Sequence, residues 1–122
     1  MINIIRIGNK DTKLMSNAGT AFFYKSCFGG DILKDLNKNI KDDDESKVVE
    51  LSQQLAYIMS RQAEGLTMKE LRSKLSNDDY IEWLCDFEAS AFYDGETVGN
   101  IITAWRGNLA ITGEAKNEQS PQ

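Results

Sequence analysis

Apolar side chains recur at steps of three and four from Val48 through Leu51, Leu55, Ile58 and Met59, with Gln62 next in register, while Lys47, Glu50, Gln53, Gln54 and Arg61 fall between them. At 3.6 residues per turn this is one stripe, and it predicts an amphipathic helix over residues 46–64. Asp42, Asp43, Asp44 and Glu45 stand before it, where a helix dipole favours negative charge, and Gly65 follows where a left-handed C-terminal cap is expected. The rest of the chain is expected to supply what this stripe packs against.

Upstream, residues 2–7 (INIIRI) are rich in β-branched side chains, Gly8 to Asp11 reads as a turn, and Thr12 to Met15 returns as a second short strand. A lone two-stranded hairpin is marginal in water, so it must lie on the helices or pair with another chain, and the second option would make it an element of a homo-oligomer. Ser16-Asn17 offers an N-cap to an aromatic helix (Phe22, Phe23, Tyr24, Cys27, Phe28) that Gly29-Gly30 ends. Asp31 caps a further short helix carrying Ile32, Leu33 and Leu36, and the polar run 37–44 reads as an exposed connection. Leu71 and Leu75 mark a short amphipathic element. Ser76 then caps a helix with Tyr80, Ile81, Trp83, Leu84 and Phe87 on one side and Asp79, Glu82 and Asp86 on the other. Glu88 to Glu96 is ambiguous because of Gly95; Val98, Ile101, Ile102 and Trp105 form a last helix closed by Gly107-Asn108. The expectation is a mainly α fold, a small helical domain of about five helices. The hairpin takes residues 1–15 and the helices 16–108 of a single domain, and 109–122 form a flexible tail.

Composition narrows this picture. A chain of 122 residues can fold without metal or disulfide help, and the single proline, Pro121, breaks nothing inside the fold. The net charge of −5 argues against general affinity for nucleic acid or anionic membranes. It is uneven: residues 1–40 sum to +3 and 41–122 to −8. Cys27 and Cys85 sit in aromatic runs and read as free thiols acting as small buried hydrophobes. The first ten residues lack a signal-peptide pattern and no run approaches the ~18 apolar residues of a membrane span, so a cytoplasmic protein is expected.

Candidate chemistry is sparse. There is no histidine, which removes serine–histidine and cysteine–histidine nucleophile systems and the usual zinc sites, and no glycine-rich phosphate loop is present. The carboxylates of Asp42 to Glu45 read as helix capping, and those of Asp79, Glu82 and Asp86 as a solvated or partner-binding face. The expectation is a protein without enzyme activity, cofactor or metal.

Four stretches in order carry a resemblance. They are Tyr24-Lys25-Ser26-Cys27-Phe28-Gly29-Gly30-Asp31-Ile32-Leu33-Lys34-Asp35-Leu36, Leu55-Ala56-Tyr57-Ile58-Met59 with Gln62-Ala63-Glu64, Asp79-Tyr80-Ile81-Glu82-Trp83-Leu84, and Trp105-Arg106-Gly107-Asn108. Across residues 15–108 the chain resembles the tail assembly chaperones of long-tailed bacteriophages infecting Gram-positive bacteria. The resemblance implies a small helical protein of the host cytoplasm that binds the tape measure protein, keeps it soluble, helps tail tube protein assemble around it, and is absent from the mature virion. It also implies a longer, frameshifted form: Ala115-Lys116-Asn117 is compatible with the codons GCA AAA AAC, which contain a slippery heptamer. The expected partner surface is the apolar edge of two helices, Leu55, Ile58 and Met59 on one and Tyr80, Trp83, Leu84 and Phe87 on the other, with Asp79, Glu82 and Asp86 as rim charges. The alternative reading is a small acidic phage or prophage regulator that binds a host protein through the acidic face, with affinity that collapses at high salt.

Overall fold

The computed structural model describes the backbone of residues 1–114 and the side chains of residues 1–107. Its chain opens on an antiparallel hairpin of β1 (Ile2–Ile7) and β2 (Lys10–Met15), in register Ile2↔Met15 through Ile7↔Lys10. The turn is only Gly8-Asn9, tighter than the four-residue cluster expected, because Gly8 adopts φ 61°. Alternation then sorts the faces. Ile7 and Leu14 are buried and Thr12 nearly so, while Ile2, Ile4, Arg6, Asp11 and Lys13 face out. The inner face rests on the helices, with Ser16 Oγ donating to the Trp105 carbonyl at 2.9 Å.

Gly8 also lies under the 88–91 turn, where an added Cβ would stand 3.0 Å from Ala91 Cβ and 3.1 Å from Glu88 Oε1. Gly8→Ala therefore combines a left-handed backbone with a steric clash and is expected to lower stability by about 1–3 kcal/mol, measured as a shift in the urea midpoint at constant slope.

Six helices follow among the described residues: α1 (Thr20–Phe28), α2 (Ile32–Lys41), α3 (Glu45–Gln62), α4 (Met68–Lys74), α5 (Asn77–Leu84) and α6 (Gly95–Glu114). Local chemistry starts most of them. Asp31, Asp44 and Ser76 accept from the backbone N–H three residues on, and Thr67 with Glu70 forms a reciprocal capping box. Gly29 and Gly65 both take positive φ after their helices.

Several boundaries differ from the sequence expectation. α1 starts at Thr20 with no side-chain cap; Asn17 instead accepts from Gly19 N–H and donates its own N–H to Thr20 Oγ1. The 37–44 connection is mostly helix, since the stripe Ile32, Leu36, Ile40 carries α2 to Lys41, and Asp43 turns the chain at φ 57°. α5 ends at Leu84, leaving Asp86 and Phe87 in the following turns. Gly107 does not stop α6: upstream packing of Ile101 and Ala104 outweighs the roughly 1 kcal/mol that a mid-helix glycine costs, and residues 109–114, assigned to the tail, continue the helix to Glu114. The remainder of that tail, with Ala115-Lys116-Asn117, lies outside the described residues.

α3 is the axis of the fold, touching β2, α1, α2, α5 and α6. One cluster of buried side chains runs through it from Ile7 and Leu14 to Ile101 and Ala104. Its stripe is wider than the pattern indicated. Ser52, Ala56 and Tyr57 are buried beside Leu51, Leu55, Ile58 and Met59, so α3 is covered on nearly all sides over its second half.

Candidate partner-binding surface

Of the ten residues expected to meet a partner, five are interior. Leu55, Ile58 and Met59 are 0 % exposed, with Tyr80 at 7 % and Trp83 at 6 %. The expected apolar edge of α3 at Leu55, Ile58 and Met59 is therefore corrected to core, because five neighbouring elements cover these three side chains.

Asp79 is corrected as well. It does not share a solvated acidic face with Glu82 and Asp86 but turns inward, where Arg61 grips it in two-pronged fashion (Nε to Oδ2 2.8 Å, Nη2 to Oδ1 3.1 Å) and the Tyr57 hydroxyl donates to Oδ2 at 2.7 Å. Arg61 also pairs with Glu64, which accepts from Lys74 at 3.1 Å, so one network joins α3, α4 and α5. Burial works to raise the Asp79 carboxyl. The hydrogen bonds from Arg61 and Tyr57 and the charges of Arg61 and Lys74 outweigh it, holding the group below the usual aspartate range. The Tyr57 phenol is pushed up by burial first and by its bond to Asp79 second.

Seven aromatic residues form one connected network. Tyr24, Phe28, Tyr57, Tyr80, Trp83, Phe87 and Phe92 meet in tilted and edge-on contacts at ring separations of 4.8 to 6.1 Å, with Tyr57 joining Phe28 and Tyr80 to Trp83. Two of the polar tips are paired: Trp83 Nε1 donates to Ser60 Oγ at 3.2 Å and Tyr24 OH to Gln54 at 2.8 Å. Burial, with Asp35 and Glu50 nearby, pushes the Tyr24 phenol up to about 12. Cys27 is half-buried, whereas Cys85 is exposed, against the expectation that both are buried; α5 ends before it and its side chain follows the outer face.

What the surface keeps is distributed differently. On α5 and in the turns after it, Ile81 is 49 % exposed, Leu84 and Phe87 are half-buried, and Glu82 and Asp86 are exposed. A cleft of about 360 Å³ runs from Trp83, Asp86 and Phe87 to Lys10 and Lys13 of β2. A second cleft of about 400 Å³ lies between the end of α2 and the starts of α3 and α6. Val48, Val49, Phe92 and Val98 form its floor, Ile40 and the 75 % exposed Tyr93 its walls, and Asp43, Asp44 and Glu45 its rim. Sequence reasoning passed over Ile40 although it continues the Ile32–Leu36 spacing; Tyr93 carried no periodic signal.

Among the described residues, no three acidic, cysteine or histidine side chains stand close enough to share a metal ion, and no helix is long and apolar enough to cross a membrane. Comparison with protein-family models, curated proteins and solved structures finds no match to this chain.

Proposed function

We propose that this chain is a tail assembly chaperone of a long-tailed bacteriophage, which binds the tape measure protein in the host cytoplasm, keeps it soluble while tail tube protein assembles around it, and leaves before the virion is complete. The resemblance across residues 15–108 supports the reading, and one structural observation carries it. A well-packed helical domain keeps Ile81 exposed and Leu84 and Phe87 half-buried along α5 and the turn after it, close in sequence to the exposed carboxylates of Glu82 and Asp86. An amphipathic tape measure helix laid along α5 would cover these apolar side chains, with the acids as a rim that sets orientation and keeps the complex soluble.

Because Ile81 and Asp86 are exposed, Ile81→Asp with Asp86→Lys is expected to change unfolding free energy by less than about 0.5 kcal/mol for each substitution. The same double variant is expected to leave co-expressed tape measure protein in the pellet. A folded double variant that solubilises tape measure protein as well as the wild type does would contradict the proposal.

A further inference from the structure

The hairpin has two free edges, and only one of them is guarded. Met1 and Ser16 exchange backbone bonds in both directions at 2.9 Å, which fixes the alternation along the ladder. Asn3, Ile5 and Ile7 then bond across to Leu14, Thr12 and Lys10, while the N–H and C=O groups of Ile2, Ile4 and Arg6 point away from β2. Among the described residues, no backbone group outside the β1–β2 ladder bonds to these three. The edge of β2 carries Asp11 and Lys13, with Lys10 at its start, and charges of this kind keep a sheet edge from pairing. β1 lacks that guard over most of its length. Ile4 is 69 % exposed and Ile2 49 %, and even the inward Asn3 and Ile5 are only half-buried where Leu14 and Thr12 opposite them are covered. At its Arg6 end the edge meets a cleft of about 440 Å³ lined by Arg6, Gly8, Glu88, Asp94, Glu96 and Asn100. Arg6 is turned to Asp11 at 3.0 Å, and among the described residues Glu88, Asp94 and Glu96 are in no ion pair.

We propose that the β1 edge is a docking site for an extended segment of another protein, which adds to the hairpin as a third, antiparallel strand. Its backbone bonds to Ile2, Ile4 and Arg6, alternate β-branched side chains lie beside Ile2 and Ile4, and a lysine or arginine at its N-terminal end meets Glu88, Asp94 and Glu96. Main-chain bonds give the affinity, and the three acids set the direction of the strand. The β1 edge is separate from α5, so this docking is independent of the partner bound there.

Amide exchange of the full chain with the capped peptide Lys-Val-Thr-Val-Thr-Val tests it. Without peptide, the amides of Ile2, Ile4 and Arg6 are expected to exchange fast and those of Asn3, Ile5 and Ile7 slowly. With peptide at about ten times its dissociation constant, exchange at Ile2, Ile4 and Arg6 is expected to slow about tenfold. Ile4→Pro removes one outward N–H and no β1–β2 bond, since Ile4 and Lys13 are a non-hydrogen-bonded pair. That variant is expected to keep the slow amides of Ile5 and Ile7 and to lose the peptide. Glu88→Gln with Glu96→Gln, both at exposed positions, is expected to weaken this peptide several-fold and to leave unchanged a peptide with threonine in place of lysine. Absence of saturable protection at the three amides, equal protection in Ile4→Pro, or equal weakening of both peptides by the glutamine variant would overturn the proposal. So would protection of Ile2 and Ile4 in the free chain that grows with its concentration, which would place a second copy on the edge.

Discussion

Leu55→Ala is expected to lower the free energy of unfolding by about 2–5 kcal/mol. Leu55 is 0 % exposed at the centre of α3, surrounded by the buried side chains of Leu51, Ile58 and Met59. Truncation removes transfer free energy and leaves a cavity that packed neighbours on every side refill only in part. Total stability of domains this size is about 5–15 kcal/mol, so the loss is a large share of it. Urea unfolding followed by far-ultraviolet dichroism reads it directly. A change below about 0.5 kcal/mol would mean that Leu55 faces solvent or a partner, as the expected partner surface had it. Any solubilisation defect in this variant is expected to track its unfolded fraction, unlike that of the Ile81→Asp, Asp86→Lys variant.

Asp79→Ala is expected to be nearly as damaging, at about 2–3 kcal/mol, although Asp79 is polar and lies near the surface. The side chains of Arg61 and Asp79 are 16 % and 17 % exposed, so removing the carboxylate leaves a largely desolvated guanidinium with only Glu64, and a Tyr57 hydroxyl with only the Ser76 carbonyl, 3.4 Å away, to donate to. The same geometry sets a pH dependence. The folded Asp79 carboxyl titrates below its unfolded value of about 3.9, so its contribution is complete at neutral pH and is lost as pH falls through the folded value. Asp79→Asn is expected to narrow the difference between urea midpoints measured at pH 7 and pH 3. An unchanged difference would show that Asp79 is not tied to Arg61 in solution.

The helices, the hairpin and the central place of α3 were legible in the chain because they rest on local chemistry: the β-branched content of INIIRI, Asp31, Ser76 and the 42–45 acids at helix starts, and the stripe from Val48 to Met59. What could not be read was how much of each apolar stripe its neighbours would cover. Periodicity marks Leu55 and Ile81 alike as apolar positions of amphipathic helices. Only the tertiary arrangement, with β2, α1, α2, α5 and α6 gathered on α3, places the first at 0 % exposure and the second at 49 %. Asp79 was misread for a related reason. Its spacing with Glu82 and Asp86 is helical, but the residues that turn it inward, Tyr57 and Arg61, lie 22 and 18 positions away in sequence. The α2–α3–α6 cleft escaped entirely, because it joins Ile40 to Tyr93 across a gap no local pattern spans.

The division between a closed core and a partly exposed apolar surface gives the proposed chaperone a simple physical form: α3 holds the domain together, and α5 with the turn after it offers Ile81, Leu84 and Phe87 without unfolding. Co-expression of the wild-type chain with a tape measure protein, followed by size-exclusion chromatography of the soluble fraction, tests this most directly. A tape measure protein that is insoluble alone is expected to become soluble and to co-elute with this chain. A tape measure protein that stays in the pellet, with this chain eluting by itself, would contradict the account.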